Sequence, residues 1–289
     1  MPPPLAPPPL VSLRPPLRDV IARHGLDARK SLGQHFLLDG NLTARIVRGT
    51  GAGSLSGRHV VEVGPGPGGL TRSLLETDAA SLTVVEVDRR AIGAMEELAA
   101  TDARLRVLEA DALALDLATL VPAPRHIVAN LPYNIATPLL IGWLRQAASF
   151  AGMTLMFQQE VAERIAAPPD MPAYGRLSVL SQWVCDVVLL LRLPPAAFVP
   201  PPKVWSAVVG FTPHAAQPAP DLFRAMERLT AAAFGQRRKM LRGSLKSLGG
   251  EKLLASAEID PQRRAETLSV AEFDRLARLT LSKGDSADA

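Results

Sequence analysis

The region from Arg58 to Phe211 alternates short β-branched segments with stretches of helical periodicity, and this alternation constrains the fold more than any other feature. Each apolar segment is followed by a polar residue or a glycine, where a loop should begin. The gap after each segment accommodates one helix, which is typical of a parallel sheet covered on both faces. The predicted strands are His59–Val63, Leu82–Glu86, Leu105–Leu108, His126–Ala129 and Met153–Phe157.

The last two apolar segments, Val184–Leu191 and Val204–Phe211, follow without an obvious long helix between them. The stretch that separates them contains Pro194-Pro195 and Pro200-Pro201-Pro202, so we expect a rigid loop. An antiparallel pair at one edge of the sheet fits this order. The predicted fold class is therefore α/β, with a Rossmann-like sheet that is mostly parallel and has an antiparallel strand at one edge.

Length and composition indicate a large domain followed by a small one. The chain has 289 residues, and after a Pro/Ala-rich stretch at Thr212–Pro220 the apolar residues recur at helical spacing only. We predict a disordered proline-rich tail over residues 1–16, a core domain over 17–212 and a small all-α domain over 213–289. Apolar runs too short for a membrane span, a tail without the charges of a signal peptide and a single cysteine, Cys185, predict a cytoplasmic protein.

The strand His59–Val63 leads into the loop Gly64-Pro65-Gly66-Pro67-Gly68-Gly69, after which a helix is predicted near Leu70. Ligands of open α/β sheets bind beyond the carboxyl ends of the strands, and glycines allow the first turn to approach them closely. Gly64, Gly66 and Gly69 also match the dinucleotide pattern. The loop therefore predicts a nucleotide-type cofactor without distinguishing NAD from S-adenosylmethionine.

Three carboxylates accompany this loop. Glu86 ends the second strand, where it can accept hydrogen bonds from ribose hydroxyls of either cofactor. Asp111, after the third strand, suits the 6-amino group of adenine, and Glu62 suits the ordering of the loop near a cationic methionine moiety. The alternative is that Asp111 caps a following helix and that Glu62 satisfies backbone amides.

The fourth strand ends in Asn130-Leu131-Pro132-Tyr133. The exocyclic amine of adenine is a poor nucleophile because its lone pair is delocalised into the ring. The Asn130 side-chain oxygen and a main-chain carbonyl near Leu131 or Pro132 could accept both amine protons and free that lone pair. Pro132 stiffens the turn, and Tyr133 offers a ring on which the base can stack. The segment predicts amine methylation; the alternative is an ordinary strand-to-loop turn.

Phe198 lies on the proline-stiffened loop before the last strand, where it could hold a second ring against the base. The alternative is that this ring packs onto the core. No metal site is predicted.

Basic residues crowd into the segment 236–246 of a chain whose formal net charge is +4. We expect this segment to be helical and to contact RNA phosphates without reading bases. The alternative is a solvated helix face. The predicted RNA-binding residues are Arg237, Arg238, Lys239, Arg242 and Lys246.

Taken together, these motifs resemble the ribosomal RNA small-subunit adenine dimethyltransferases from about Ala28 to Leu279, with several motifs in the right order. The matching segments are Lys30–Leu37, Val61–Gly69, Glu86–Asp88, Ala110–Ala112, Asn130–Pro138, Ala173–Ser178, Phe198–Val209 and Gln236–Lys239.

The resemblance implies dimethylation at N6 of two adjacent adenosines in the 3′-terminal hairpin of 16S rRNA, within the small ribosomal subunit. We also expect the chain to be a monomer. It implies that Tyr133 and Phe198 flank the target adenine. Where this chain has His35, the family often has Asn. The S-adenosylmethionine contacts that the resemblance implies are His35, Leu37, Gly64, Glu86, Asp111 and Asn130.

Three other functions remain open at this point. A methyltransferase for adenine in 23S rRNA would share the core domain. An NAD-dependent oxidoreductase is compatible with the glycine loop. A ribosome-assembly or transcription factor could use the same fold to hold nucleic acid, although an intact Asn130 segment favours catalysis.

Overall fold

The computed structural model describes residues 14–28, 34–50, 55–236 and 238–284. The described strands are β1 (Phe36–Leu37), β2 (His59–Val63), β3 (Ser81–Glu86), β4 (Leu105–Glu109), β5 (Arg125–Asn130), β6 (Gly152–Gln158), β7 (Cys185–Leu193), β8 (Phe198–Val199) and β9 (Ser206–Pro213). The described α-helices are α1 (Leu17–His24), α2 (Gly40–Arg48), α3 (Gly69–Leu75), α4 (Arg89–Ala99), α5 (Leu117–Leu120), α6 (Tyr133–Leu144), α7 (Gln159–Ala166), α8 (Arg176–Val184), α9 (Pro220–Gly235), α10 (Leu241–Ser244), α11 (Gly250–Ser256) and α12 (Val270–Gly284).

Seven of the described strands form one sheet in the order β4-β3-β2-β5-β6-β9-β7. The first five are parallel, and β9 lies antiparallel to both of its neighbours. The central strands β2, β3, β5 and β6 are buried along almost their whole length, because helices cover both faces. The predicted fold class is confirmed, including the antiparallel arrangement at one edge.

Two predicted strand boundaries were wrong at this edge. Val184 is the last residue of α8, and β9 begins at Ser206, two residues after the predicted start. Val204 and Trp205 are exposed, at 44% and 49%, and belong to the preceding loop. Their apolar side chains alone had indicated a strand.

A second, two-stranded sheet joins parts of the chain that are far apart in sequence. Phe36 pairs with Val199 and Leu37 with Phe198, so β1 and β8 are antiparallel. The Leu37 carbonyl packs directly on Gly69, where a Cβ atom would clash with it, and the Phe36 ring covers Gly66. β1 is thereby seated over the glycine loop.

The residues beyond β9 that the structure describes are helices and turns, and they pack against the preceding helices. The Tyr174 hydroxyl donates to the Leu268 carbonyl over 2.9 Å, and the Trp183 indole donates to Asp274 over 3.0 Å. Buried residues from β5, α6, α8, α9 and α12 belong to one continuous apolar cluster. The helical C-terminal region is confirmed, whereas the domain boundary at residue 213 stays a prediction.

The prediction of one helix over residues 236–246 was wrong. α9 ends at Gly235, Arg238 and Lys239 lie in a turn, and helical structure resumes only at Leu241. The amides of Leu241 and Arg242 donate to the carbonyls of Arg263 and Pro261, over 2.8 and 3.1 Å. Because those amides bond to a neighbouring turn, they cannot continue the helix from α9.

Some predictions fall on residues outside the described ranges. They concern most of the proline-rich tail (residues 1–13), residues 30–33 of the segment before β1, and Arg237.

None of the described helices is both long and apolar enough to cross a membrane. Burial raises the pKa of the Cys185 thiol to about 12, as befits a structural cysteine.

Candidate active site

A cavity opens at the carboxyl ends of β2, β3 and β5, and three chain segments line it. The segments are residues 34–37 around β1, residues 64–70 in the glycine loop and residues 130–135 after β5, with Glu62 and Glu86 between them. The parallel sheet determines this position, because every βα connection starts at the same edge. The structure therefore brings together most of the predicted cofactor residues.

The glycine loop turns sharply away from β2. Gly64 and Gly66 have φ angles of +70° and +53°, which side chains rarely tolerate. The Gly64 amide donates to the Val85 carbonyl over 3.0 Å, and the Gly66 amide donates to the Glu86 carboxylate over 3.3 Å. The loop and the end of β3 are thus fixed to each other.

Glu86 is 7% exposed and faces the cavity. Its Oε1 accepts hydrogen bonds from the amides of Val87 and Asp88, over 2.8 and 3.0 Å. Burial raises the pKa of Glu86, and these backbone amides partly oppose the shift. With Oε1 held by two donors, Oε2 receives from the described residues only the longer bond of the Gly66 amide and retains capacity for a ligand hydroxyl.

Glu62 is 1% exposed and also lines the cavity. Its Oε2 atom has no hydrogen-bond partner among the described residues. Burial raises the pKa of this carboxyl to about 8, although the Thr71 hydroxyl opposes the shift. This open oxygen counts against the alternative that Glu62 satisfies backbone amides. A buried carboxyl oxygen without a protein partner is suited to a cationic ligand group, whose charge would favour the ionised form of Glu62.

Asn130 is the last residue of β5, and its side-chain amide donates to the His35 carbonyl over 3.0 Å. Pro132 precedes α6, and its carbonyl accepts from the amides of Ile135 and Ala136, each over 3.1 Å. Leu131 is 2% exposed and anchors the turn in the core. The segment is thus held by its own helix and by the residues before β1.

Tyr133 is half-buried, and its hydroxyl lies 2.7 Å from the Ser206 Oγ at the start of β9. Its ring stacks on His35, with centroids 5.7 Å apart. Burial raises the pKa of the Tyr133 phenol, so the ring stays neutral at physiological pH. The His35 Nδ1 lies 2.8 Å from the Pro200 carbonyl, which ties this cluster to the proline-rich loop.

Phe198 and Asp111 are not among the cavity-lining residues. The Phe198 ring is 2% exposed and packs in the apolar cluster that contains Leu37 and Leu193. Asp111 is exposed, and its side chain accepts from the Leu113 amide over 2.9 Å, capping a short 3-10 helix. Both side chains occupy the positions of the alternative interpretations, and their substrate and cofactor roles stay predictions.

The basic residues 238, 239, 242 and 246 are exposed on the turn and short helices after α9. Arg242 lies 3.8 Å from Glu251 in an ion pair with both side chains largely exposed, which contributes little to stability. Their contact with RNA stays a prediction.

Sequence patterns missed the contacts that assemble the site. Ser206, the Pro200 carbonyl and Gln34, which donates to Asp88 over 3.2 Å, all come from segments distant from their partners. No periodicity or motif spacing reports such pairings.

Comparisons with known proteins agree with this geometry. The family model described as ribosomal RNA adenine dimethylase matches residues 25–280. A protein of Gluconobacter oxydans described as ribosomal RNA small subunit methyltransferase A is 65% identical over 283 residues, which is 98% of this chain and 92% of that protein. A protein of Paramagnetospirillum magneticum with the same description is 58% identical over 266 residues, covering 91% of this chain and 94% of that protein.

Two solved structures share the fold over most of their length. A dimethyladenosine transferase from Plasmodium falciparum superposes with a TM-score of 0.71 at 26% identity, covering 86% of this chain and 98% of that structure. The 23S rRNA methyltransferase ErmE superposes with a TM-score of 0.64 at 24% identity, covering 84% and 98%. The second likeness concerns the fold alone.

Proposed function

The chain belongs to the ribosomal RNA adenine dimethylase family, and on that premise we propose that it dimethylates N6 of two adjacent adenosines in the 3′-terminal hairpin of 16S rRNA. The reaction uses S-adenosylmethionine and is a step of rRNA processing in ribosome biogenesis. The two relatives described as small-subunit enzymes favour 16S rRNA over 23S rRNA. We propose that the chain acts as a cytoplasmic monomer on the small subunit or its precursor.

The single observation that carries the proposal is the juxtaposition of Asn130 and Glu62 at one cavity. One residue supplies a polar acceptor for an amine, and the other supplies an unpartnered buried carboxylate oxygen for a cation. A methyl donor with a cationic amino group next to a target amine requires both.

The donor-binding residues follow from the surfaces that face the cavity. Glu62 holds the cationic methionine end, and Oε2 of Glu86, which the Gly66 amide reaches only over 3.3 Å, accepts from the ribose. Gly64 provides close backbone approach, while His35 and Leu37 cover the donor from the other side. Asp111 accepts a hydrogen bond from the adenine 6-amino group. To do so, its side chain must give up the hydrogen bond that it accepts from the Leu113 amide.

When bound, S-adenosylmethionine supplies an electrophilic methyl group. Asn130 positions the amine that receives it. Because its Nδ2 donates to the His35 carbonyl, its Oδ1 is the atom available to accept an amine proton. The Pro132 carbonyl is engaged by α6, so the Leu131 carbonyl is the second acceptor. Accepting both protons draws the nitrogen towards tetrahedral geometry and frees its lone pair.

The same residues explain why no strong base is needed. The amine proton becomes acidic once the nitrogen is alkylated, so positioning and fixed dipoles carry the rate. Tyr133 stacks on the target base, and Ser206 and His35 hold its ring in place. Phe198 supplies a second ring if it turns out of its buried position on substrate binding.

The test is incubation of undermethylated small ribosomal subunits with methyl-labelled S-adenosylmethionine, followed by nucleoside analysis. The wild-type protein should produce N6,N6-dimethyladenosine at two adjacent positions, and Asn130→Ala should produce little or none. Asn41→Ala, on the exposed first turn of α2, is a matched loss of one amide and should match the wild type. Equal labelling by Asn130→Ala and the wild type would overturn the mechanism, and labelling of 23S rRNA instead would overturn the substrate.

A further inference from the structure

We propose that Trp205 stacks on a base of the RNA substrate other than the target adenine, at the mouth of the cavity. The proposal rests on the proposed function, since it adds an RNA contact to the same site. It identifies a residue that positions the strand next to the nucleotide being modified.

The backbone of Trp205 is fixed beside the target-base side of the site. Its carbonyl accepts from the Gln159 amide over 2.8 Å, at the start of α7. The next residue, Ser206, carries the hydroxyl that lies 2.7 Å from the Tyr133 hydroxyl. Ser206 also pairs with Gln158, so this position lies at the carboxyl edge of the sheet. Trp205 is therefore the residue directly before the one that holds Tyr133.

The exposure of this side chain differs from that of the other two tryptophans. Trp143 is 5% exposed, and the Trp183 indole is partly buried and donates to Asp274. Trp205 is 49% exposed, and its indole has no hydrogen-bond partner among the described residues. Val199, at the end of β8, and Val204 are 51% and 44% exposed. Several exposed apolar side chains on one short segment are typical of an interaction surface.

The charges around this surface favour a polyanion. Lys203 is exposed and forms no ion pair within the part of the chain that the structure describes. The nearby carboxylates of α7 are neutralised, since Glu160 pairs with Arg164 and Glu163 with Arg192. An exposed aromatic ring beside an unpaired cation is the combination that binds single-stranded nucleic acid, with the ring against a base and the cation near a phosphate.

The topology explains why the occupant is RNA. The target base enters the cavity next to Tyr133, so the nucleotides that flank it must cross the surrounding surface. Trp205 lies on that surface on a loop stiffened by Pro200, Pro201 and Pro202, which lowers the entropic cost of presenting the ring.

The first test compares Trp205→Ala, Trp205→Phe and the wild type in steady-state methylation of undermethylated small subunits. Loss of one base stack should raise KM for the subunit about tenfold and leave kcat within about twofold. Trp205→Phe should recover most of the loss because a smaller ring still stacks. Val188→Ala, which removes a 56% exposed apolar side chain on β7, should leave both constants unchanged. A wild-type KM in Trp205→Ala would overturn the proposal while leaving the proposed function intact.

The second test uses intrinsic fluorescence and an RNA hairpin with two adjacent adenosines in its loop. At a hairpin concentration that saturates binding by anisotropy, the wild-type tryptophan emission should be quenched, and that of Trp205→Phe should not. Saturation without quenching, together with a raised KM on subunits, would indicate that Trp205 contacts a ribosomal protein. This result would overturn the RNA contact. An inactive wild-type protein would instead overturn the proposed function.

Discussion

The side-chain amide of Asn130 donates a 3.0 Å hydrogen bond to the main-chain carbonyl of His35. This bond links the end of β5 to the residues that precede β1, and among the described residues the Oδ1 of Asn130 has no donor. In the proposed mechanism, this one side chain would orient the amine to be methylated and would also hold the segment that we propose to cover the donor.

The two roles of Asn130 can be separated by substitution. Asn130→Ala removes both, so we expect kcat to fall by about 100- to 1000-fold, as when a positioned polar group is lost from an active site. Asn130→Asp keeps the acceptors but repels the His35 carbonyl, so it should retain more activity than the alanine variant. Both should bind S-adenosylhomocysteine more weakly, as measured by calorimetry. Equal kcat values for the two variants would contradict the role of Oδ1.

The hydroxyl pair of Tyr133 and Ser206 should show energetic coupling. We expect Tyr133→Phe and Ser206→Ala each to lower stability, with the double variant less affected than the sum by about 1 kcal/mol. Chemical denaturation of the four proteins measures this coupling.

A second hydroxyl pair provides the control. Thr43 and Ser73 also lie 2.7 Å apart, but they join α2 to α3. Ser73→Ala should cost a similar free energy without changing kcat, whereas Ser206→Ala should reduce kcat because the Tyr133 ring loses its anchor. Identical kinetic effects of the two serine variants would argue against a positioning role for Ser206.

Stability should depend on pH through Glu62, whose pKa burial raises to about 8. Between the ordinary pKa of about 4.5 and about 8, the folded protein keeps a proton that the unfolded chain has lost. Raising the pH through this window therefore destabilises the unliganded protein, and the loss is complete above pH 8. Glu62→Gln should raise the Tm by several degrees at pH 8 and by little at pH 4.5.

The same variant separates stability from ligand binding. Glu62→Gln should bind S-adenosylmethionine more weakly despite its higher Tm, because the cationic end of the donor loses its carboxylate. Glu76→Gln, at the exposed C-terminal end of α3, controls for the loss of one carboxylate. Unchanged donor affinity in Glu62→Gln would exclude its assigned role.

Adding one methyl group should have opposite effects on stability at Gly69 and at Gly142. A Cβ at Gly69 would meet the Leu37 carbonyl, so Gly69→Ala should destabilise the fold by about 1–3 kcal/mol and weaken donor binding. Nothing lies within 4 Å of a Cβ at Gly142 in α6, so Gly142→Ala should stabilise by about 0.4–1 kcal/mol. Thermal unfolding with and without S-adenosylhomocysteine measures both; a neutral Gly69→Ala would contradict the close packing of β1.

Charge reversal of Arg238 and Lys239 should weaken binding to small subunits without changing donor affinity. Each lost phosphate contact should make the negative slope of log K against log salt shallower by about 0.9, or by about 0.7 for single-stranded RNA. The comparison is Arg224→Glu on α9, whose side chain already pairs with Asp221. A salt slope that stays at the wild-type value would indicate that residues 238 and 239 form only a solvated surface.

The sheet could be predicted because its signal is local. The five parallel strands coincide with their apolar segments to within one residue at most ends, since strands buried on both faces require continuous hydrophobic sequence. The glycine loop could be predicted for the same reason, because the positive φ angles at Gly64 and Gly66 strongly favour glycine at those positions.

The failures have a common cause in tertiary contacts. Residues 238–242 have the composition of a helix, but the amides of Leu241 and Arg242 bond to the carbonyls of Arg263 and Pro261 instead. The pairing of Leu37 with Phe198 and the contact of Tyr133 with Ser206 join segments with no shared pattern. Sequence reasoning singled out the Asn130 segment, which does line the cavity, but it missed the residues that hold this segment in place.

The pairing of β1 with β8 restricts the substitutions that this enzyme can accept during evolution. His35 and Pro200 are 165 positions apart, yet one lines the cavity and the other lies on the loop for which we propose an RNA contact. A substitution that loosens Phe36 or Leu37 also loosens Val199 and Phe198 on the opposite strand. Tolerated mutations here should therefore occur in compensating pairs. A substitution that changes the affinity for the donor should also change the affinity for the RNA.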